Sequence, residues 1–111
     1  MRLSDLTSET KKLAVVYKTA ANEFTIVVEY RTQAVSLGFL SEVNAKEGLD
    51  KTVYQLENVL VSWDLTDDND KVIPVTAEAI KENNMPVYLL YSILDAIVQD
   101  RFAISDDSKN E

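Results

Sequence analysis

The chain has 111 residues, of which 11 are Lys or Arg, 19 are Asp or Glu and none is His or Cys, so its formal net charge is −8. This length is typical of one domain, and the lack of Cys and His excludes disulfides, thiol nucleophiles and the commonest zinc ligands. The negative charge argues against nucleic acids and anionic membranes as partners. We expect a cytoplasmic protein, because no apolar run is long enough to span a bilayer.

The first predicted elements are a polar lead-in and a β-hairpin. Residues 1–12 carry no hydrophobic period, which predicts a flexible or lightly docked segment. Leu13–Lys18 and Phe24–Tyr30 are rich in β-branched and aromatic residues, and the turn former Asn22 lies between them. This pattern predicts two antiparallel strands. Alternate residues of the second strand are apolar, so we expect one face of the hairpin to lie on helices.

Two helices are predicted after the hairpin. The first runs from Ser36, its expected N-cap, to about Lys46, and Gly48 supplies a stop signal. The second has the strongest helical pattern of the chain and begins at Asp50, the expected N-cap. Its apolar residues recur every three or four positions as far as Trp63. Because Trp63 continues this stripe, we predict that it is a core residue.

The last part of the chain predicts two further helices. Thr76 caps a short helix over residues 77–81, and Pro86 starts a final helix that runs to about Phe102. Apolar residues cover more than half of the circumference of this final helix, which predicts that it is the central core helix. These residues are Leu89, Leu90, Ile93, Leu94, Ile97 and Val98.

These elements together predict an α+β fold, in which an N-terminal antiparallel β-hairpin packs on a bundle of three to four helices. We expect one domain over residues 1–104, including the lead-in. Residues 105–111 are polar and acidic and have nothing to bury, which predicts a disordered tail.

The acidic segment after Trp63 suggests calcium binding. Counting Asp67 as position 1 of an EF-hand loop places Asn69 at position 3 and Glu78 at position 12. However, position 5 is Lys71, where a ligand is required, so a solvated turn is the preferred interpretation. No phosphate-binding loop or catalytic constellation is recognisable either. We therefore expect no enzymatic activity, no metal and no cofactor.

Large apolar residues outside the core stripes are the candidate protein contacts. Tyr54 and Val61 lie on the face of the predicted helix opposite Leu56, and Tyr88 lies on the polar side of the final helix. Aromatic side chains often anchor interfaces, so Tyr54, Val61 and Tyr88 are the predicted interaction residues. The alternative is that the hairpin or the short helices cover them inside the monomer.

Four stretches of the sequence match a known family in the same order. They are Leu3–Ser8, Val28–Arg31, Val59–Asp68 with its Trp-Asp-Leu-Thr-Asp-Asp run, and Met85-Pro86. On these residues the chain resembles the tail assembly chaperones of long-tailed bacteriophages and related prophages. The similarity covers nearly the whole chain. Members of the family tend to carry Gly in the acidic turn, at the position that Asp70 occupies here.

The resemblance implies a non-enzymatic function. Such proteins bind the tape measure protein, an elongated and largely helical chain, and keep it soluble until tail tube subunits polymerise around it. They also contact the tail tube protein, act in the host bacterial cytoplasm and are generally absent from the mature virion. Many are made in two lengths by ribosomal frameshifting.

The excess of apolar positions also predicts self-association, as a ring or filament of modest affinity. Two other functions stay open at this point. One is a small structural tail or connector subunit of the virion. The other is an acidic inhibitor that mimics nucleic-acid charge and binds a host protein.

Overall fold

The fold is an α+β arrangement in which a three-stranded antiparallel sheet, in the order β1-β2-β3, packs on helices. The computed structural model describes residues 1–109, with side chains over residues 1–104. In chain order the elements of this part are α1 (Leu3–Thr7), β1 (Thr10–Lys18), β2 (Glu23–Arg31), α2 (Leu37–Asn44), α3 (Gly48–Val59), β3 (Leu60–Trp63), α4 (Ala77–Glu82) and α5 (Val87–Lys109). Among the described residues, no helix combines the length and apolar character needed to cross a membrane.

The predicted hairpin is confirmed, and both of its strands are longer than predicted. β1 pairs with β2 in unbroken antiparallel register from Thr10 opposite Arg31 to Lys18 opposite Glu23. Residues 1–12, predicted as a lead-in, therefore contain α1 and the start of β1. The polar residues at the start of β1 show no hydrophobic pattern. Their strand conformation comes from backbone pairing with β2.

The helix predicted from Asp50 to Trp63 is shorter than expected and is followed by a strand. α3 ends at Val59, and residues 60–63 form β3, which pairs with β2. Val28 lies opposite Trp63, and a register shift after Glu29 brings Tyr30 opposite Leu60. The apolar residues at 60 and 63 could be buried by a helix or by a strand. Residues 60–63 form a strand because the free edge of β2 supplies hydrogen-bond partners for their backbone.

The predicted N-cap residues are confirmed for α2 and α4, and the one predicted for α3 is wrong. The hydroxyl oxygens of Ser36 and Thr76 accept hydrogen bonds from the N–H groups of Phe39 and Ala79, as N-caps of α2 and α4. Gly48 does not end α2 but begins α3, with φ of 59°, a conformation that glycine adopts readily. The N-cap of α3 is thus residue 47, and the predicted N-cap Asp50 lies in its first turn.

α5 is the central core helix, as predicted. Leu90 and Ile93 are 1% and 0% exposed, and α5 packs against both β1 and α3. The helix starts one residue after Pro86 and continues to Lys109, beyond the predicted end near Phe102. No Gly or Pro interrupts it.

The disordered tail predicted over residues 105–111 therefore overlaps the last five residues of α5, and residues 110 and 111 lie outside the described residues.

Candidate protein-interaction surface

An open groove lies between the end of β2 with the segment that follows it, the second half of α3 and the middle of α5. It has a volume of about 360 Å³, and apolar side chains form much of its lining. They include Val35, Phe39, Val59, Leu94, Val98 and Phe102. We call this surface the α3–α5 groove.

Several apolar side chains of the α3–α5 groove face solvent. Val35 is 63% exposed, Phe102 is 62% exposed and Val98 is 41% exposed. α2, which supplies Phe39 to the groove, also carries Leu37 and Leu40 as exposed residues. Exposed apolar residues are common on protein surfaces when they are scattered singly. Several of them around one concave groove are typical of a site that binds another protein.

Two arginine side chains fix the walls of the α3–α5 groove. Arg31 donates from one guanidinium nitrogen to the carbonyl oxygens of Asn58 (3.2 Å) and Leu60 (2.9 Å), which ties β2 to the end of α3. Nε of Arg101 donates to the carbonyl oxygen of Thr32 at 2.7 Å, which ties α5 to the end of β2. Because both walls are tied, the groove exists before any partner binds.

A polar cluster next to the groove holds α5 on the sheet. The hydroxyl of Tyr30 donates to one carboxylate oxygen of Asp100, and Nζ of Lys11 lies 2.9 Å from the same oxygen. Tyr30 is 1% exposed, so its hydroxyl depends on Asp100 for a partner. These hydrogen bonds hold the pKa of Asp100 below its ordinary value, first through Tyr30 and then through Lys11. The stability that this carboxylate contributes is present above a pH of about 4 and is lost as the pH falls through the lowered pKa.

The phenol of Tyr30 makes folding sensitive to high pH. Burial raises the pKa of Tyr30 above its ordinary value, and the hydrogen bond to Asp100 and the charge of that carboxylate raise it further. The unfolded chain ionises this phenol near its ordinary pKa of about 10, whereas the folded chain keeps it neutral. This contribution to stability is therefore complete below a pH of about 10 and is lost as the pH rises above that value.

We predict that Tyr30→Phe lowers the free energy of unfolding by about 1–2 kcal/mol at neutral pH, because Asp100 loses a donor. The difference between wild type and variant should shrink as the pH rises from about 10 to about 11.5, since only the wild type then ionises a phenol on unfolding at this position. Urea unfolding at each pH measures this difference. A difference that stays constant across the range would contradict the role given to the phenol.

The residues predicted from sequence as contacts lie outside the lining of the α3–α5 groove, on α3, β3 and α5. Tyr54 is half-buried, its ring stacks on that of Phe39 with the centroids 5.8 Å apart, and Nζ of Lys46 lies 4.8 Å from its ring centroid. Val61 is 41% exposed on β3, and Tyr88 is 77% exposed at the start of α5. Their role in binding stays a prediction.

The acidic segment forms a turn held by its own side chain. One carboxylate oxygen of Asp67 accepts from the backbone N–H of Asn69 at 2.8 Å and of Lys71 at 3.1 Å. Asp70 completes the turn with φ of 60°. Within the described part of the chain, no group of three or more acidic side chains could hold a metal ion. The carboxylate of Asp67 has a structural role in this turn.

Sequence analysis missed the groove residues Val35 and Phe102, and it assigned Val98 to the core. For Val98, the available signal was that apolar residues cover more of the circumference of the final helix than the face that packs against β1 and α3. Comparisons with models of protein families, with curated proteins and with solved structures give no match for this chain.

Proposed function

We propose that this chain is a tail assembly chaperone of a long-tailed bacteriophage or a related prophage. It binds the tape measure protein in the host cytoplasm, keeps that protein soluble and recruits tail tube subunits to it. The observation that carries the proposal is the α3–α5 groove, an apolar and solvent-exposed surface on a chain with a net charge of −8.

The groove has the chemistry that an amphipathic helix requires. Such helices bind by placing apolar side chains, spaced three or four residues apart, into an apolar groove. Val98 and Phe102 are four residues apart on α5 and are both exposed, and Val35, in the segment after β2, is a third exposed apolar residue of the groove lining. The tape measure protein of the resembling family is largely helical, so it offers segments of this kind.

The net charge supports the same function. A chaperone that holds an elongated apolar partner must keep the loaded complex in solution, and a net charge far from zero opposes aggregation. The acidic turn contains a departure from the resembling family. Asp70 has φ of 60°, a conformation that favours glycine, at the position where family members tend to carry Gly.

We expect Val98→Glu combined with Phe102→Glu to weaken binding of the tape measure protein by about 100-fold or more, because two carboxylates would be placed against apolar side chains. Both residues are exposed, so the fold should be retained. The measurement is co-purification of the tape measure protein of the same phage, followed by titration with a soluble fragment of it. The matched control is Val87→Glu with Tyr91→Glu, which makes the same change in charge at two exposed positions, four residues apart, near the start of α5.

Normal binding by the Val98 and Phe102 variant would contradict the assignment of the groove. Loss of binding in the control alone would move the contact surface to the start of α5, where Tyr88, one of the residues predicted from sequence, lies. If the wild-type chain does not bind the tape measure protein at all, the proposed function itself fails. Mass spectrometry of purified virions then tests the structural subunit, because a subunit of the tail would be present in stoichiometric amount.

A further inference from the structure

The hairpin has an outer face that points away from the helices. Alternate residues of β1 and β2, such as Val15, Ile26 and Val28, are buried on the inner side. Eight of the remaining alternate residues form what we call the outer hairpin face; the next row on the same side, Thr10 with Arg31, lies beyond it. The eight residues are Lys12, Ala14, Val16 and Lys18 on β1, and Glu23, Thr25, Val27 and Glu29 on β2.

The outer hairpin face has an apolar centre between two charged ends. In the register of the sheet, Ala14 lies opposite Val27 and Val16 lies opposite Thr25. Val16 is 51% exposed and Val27 is 42% exposed, so the centre is open to solvent. The row at each end is a charged pair across the two strands: Lys12 lies opposite Glu29, and Lys18 lies opposite Glu23, with Nζ of Lys18 3.9 Å from the Glu23 carboxylate.

The charges of this face are separated by strand. Both lysines lie on β1 and both glutamates lie on β2, so these eight residues have no net charge, whereas the whole chain carries −8. Two copies of an acidic protein repel one another. A neutral face with an apolar centre is where two copies can approach with the least repulsion.

We propose that a second copy of this chain packs on the outer hairpin face, about a two-fold axis parallel to the strands and midway between β1 and β2. The rotation places β1 of one copy over β2 of the other. Each residue stays at the same height along the strands, so it faces the residue that is its partner in the sheet. Lys12 of one copy then faces Glu29 of the other, and Lys18 faces Glu23. The apolar centres meet between these ion pairs, so the face is complementary to itself.

The size of the face sets the strength of the dimer. From Lys12 to Lys18 a strand extends about 20 Å, and two strands are about 10 Å wide. The contact is therefore smaller than the roughly 1,200 Å² of total buried surface at which stable interfaces begin. Repulsion between two chains of charge −8 weakens it further. We expect a dissociation constant in the micromolar range or weaker.

Two variants with complementary charge test this arrangement. The first, Lys12→Glu with Lys18→Glu, makes both strands of the face acidic. The second, Glu23→Lys with Glu29→Lys, makes both strands basic. Each variant alone should dimerise about tenfold or more weakly than the wild type, because like charges face each other across the axis. An equimolar mixture should form a heterodimer, since acidic strands then face basic ones. Sedimentation equilibrium of the full chain measures the four association constants, those of the wild type, of each variant alone and of the mixture.

Matched controls change the net charge by the same amount away from the face. Lys71→Glu with Lys81→Glu is the control for the acidic variant, and Glu42→Lys with Glu82→Lys is the control for the basic one. All four residues are exposed and lie outside the sheet. Controls that dimerise as weakly as the test variants would show a general charge effect and would overturn the proposal.

Other results also overturn this two-fold contact. They are a wild type that stays monomeric at high concentration, test variants that keep the wild-type association constant, or a mixture that forms no heterodimer. If a charge variant does not fold, Val16→Thr with Val27→Thr replaces it, because Thr has nearly the same shape and favours strands. This variant should dimerise more weakly, and an unchanged association constant would again overturn the proposal. The proposal is independent of the chaperone function, because these experiments need only this chain.

Discussion

Replacing Trp63 by Ala is expected to lower the free energy of unfolding by about 3–5 kcal/mol. The indole is 3% exposed and packs in the core between the sheet and the helices. Its Nε1–H donates to the carbonyl oxygen of Ile73 at 2.6 Å, so the substitution also leaves a buried carbonyl without this donor. A domain of this size is stable by about 5–15 kcal/mol, so this loss is a large fraction of the total.

Trp63→Phe separates the two contributions. It keeps an aromatic ring in the core but removes the donor to Ile73, and we expect about 1–3 kcal/mol of destabilisation. Urea unfolding followed by circular dichroism suits both variants, because the chain has one Trp and both variants lack its fluorescence. A loss of less than 1 kcal/mol in Trp63→Ala would mean that the side chain is an exposed contact residue.

The second large effect concerns two apolar residues of α5 that the sequence pattern cannot distinguish. Ile93 is 0% exposed, and Ile93→Ala should cost about 2–5 kcal/mol because it leaves a cavity between α5, the sheet and α3. Val98 is 41% exposed at the α3–α5 groove, so Val98→Ala should cost less than about 1 kcal/mol. The free energies of unfolding from urea titrations provide the comparison. Equal losses in the two variants would show that Val98 is a core residue and that the groove is closed.

Binding and stability should therefore depend on different residues of the same helix. The groove variants on Val98 and Phe102 are expected to lose partner binding while the fold is retained. Ile93→Ala should do the reverse, with weaker folding and normal binding by the fraction that remains folded. This separation is what distinguishes a binding surface from a part of the core.

The sequence by itself determined the elements that depend on local chemistry. Alternating apolar residues predicted the hairpin, and the hydroxyls of Ser36 and Thr76 predicted the starts of α2 and α4. The proline at 86 predicted the start of α5, since a proline at a helix start removes an N–H that would have no partner. Trp63 was also predicted to be buried, because it continues the apolar stripe. That prediction is confirmed, although Trp63 lies in a strand and not in the predicted helix.

Only the tertiary structure decided features that depend on distant partners. Leu60–Trp63 continues a helical stripe in sequence, yet it forms a strand because β2 offers backbone groups across about 30 residues of chain. Apolar spacing likewise cannot show which part of α5 is left open. Ile93 is buried where α5 packs against the sheet and α3. Neither of these elements covers Val98 and Phe102, which are exposed and line the α3–α5 groove. Local patterns indicate most of the helices and strands, but the conformation of residues 60–63 and the exposure of the α5 side chains depend on what pairs with them or packs against them.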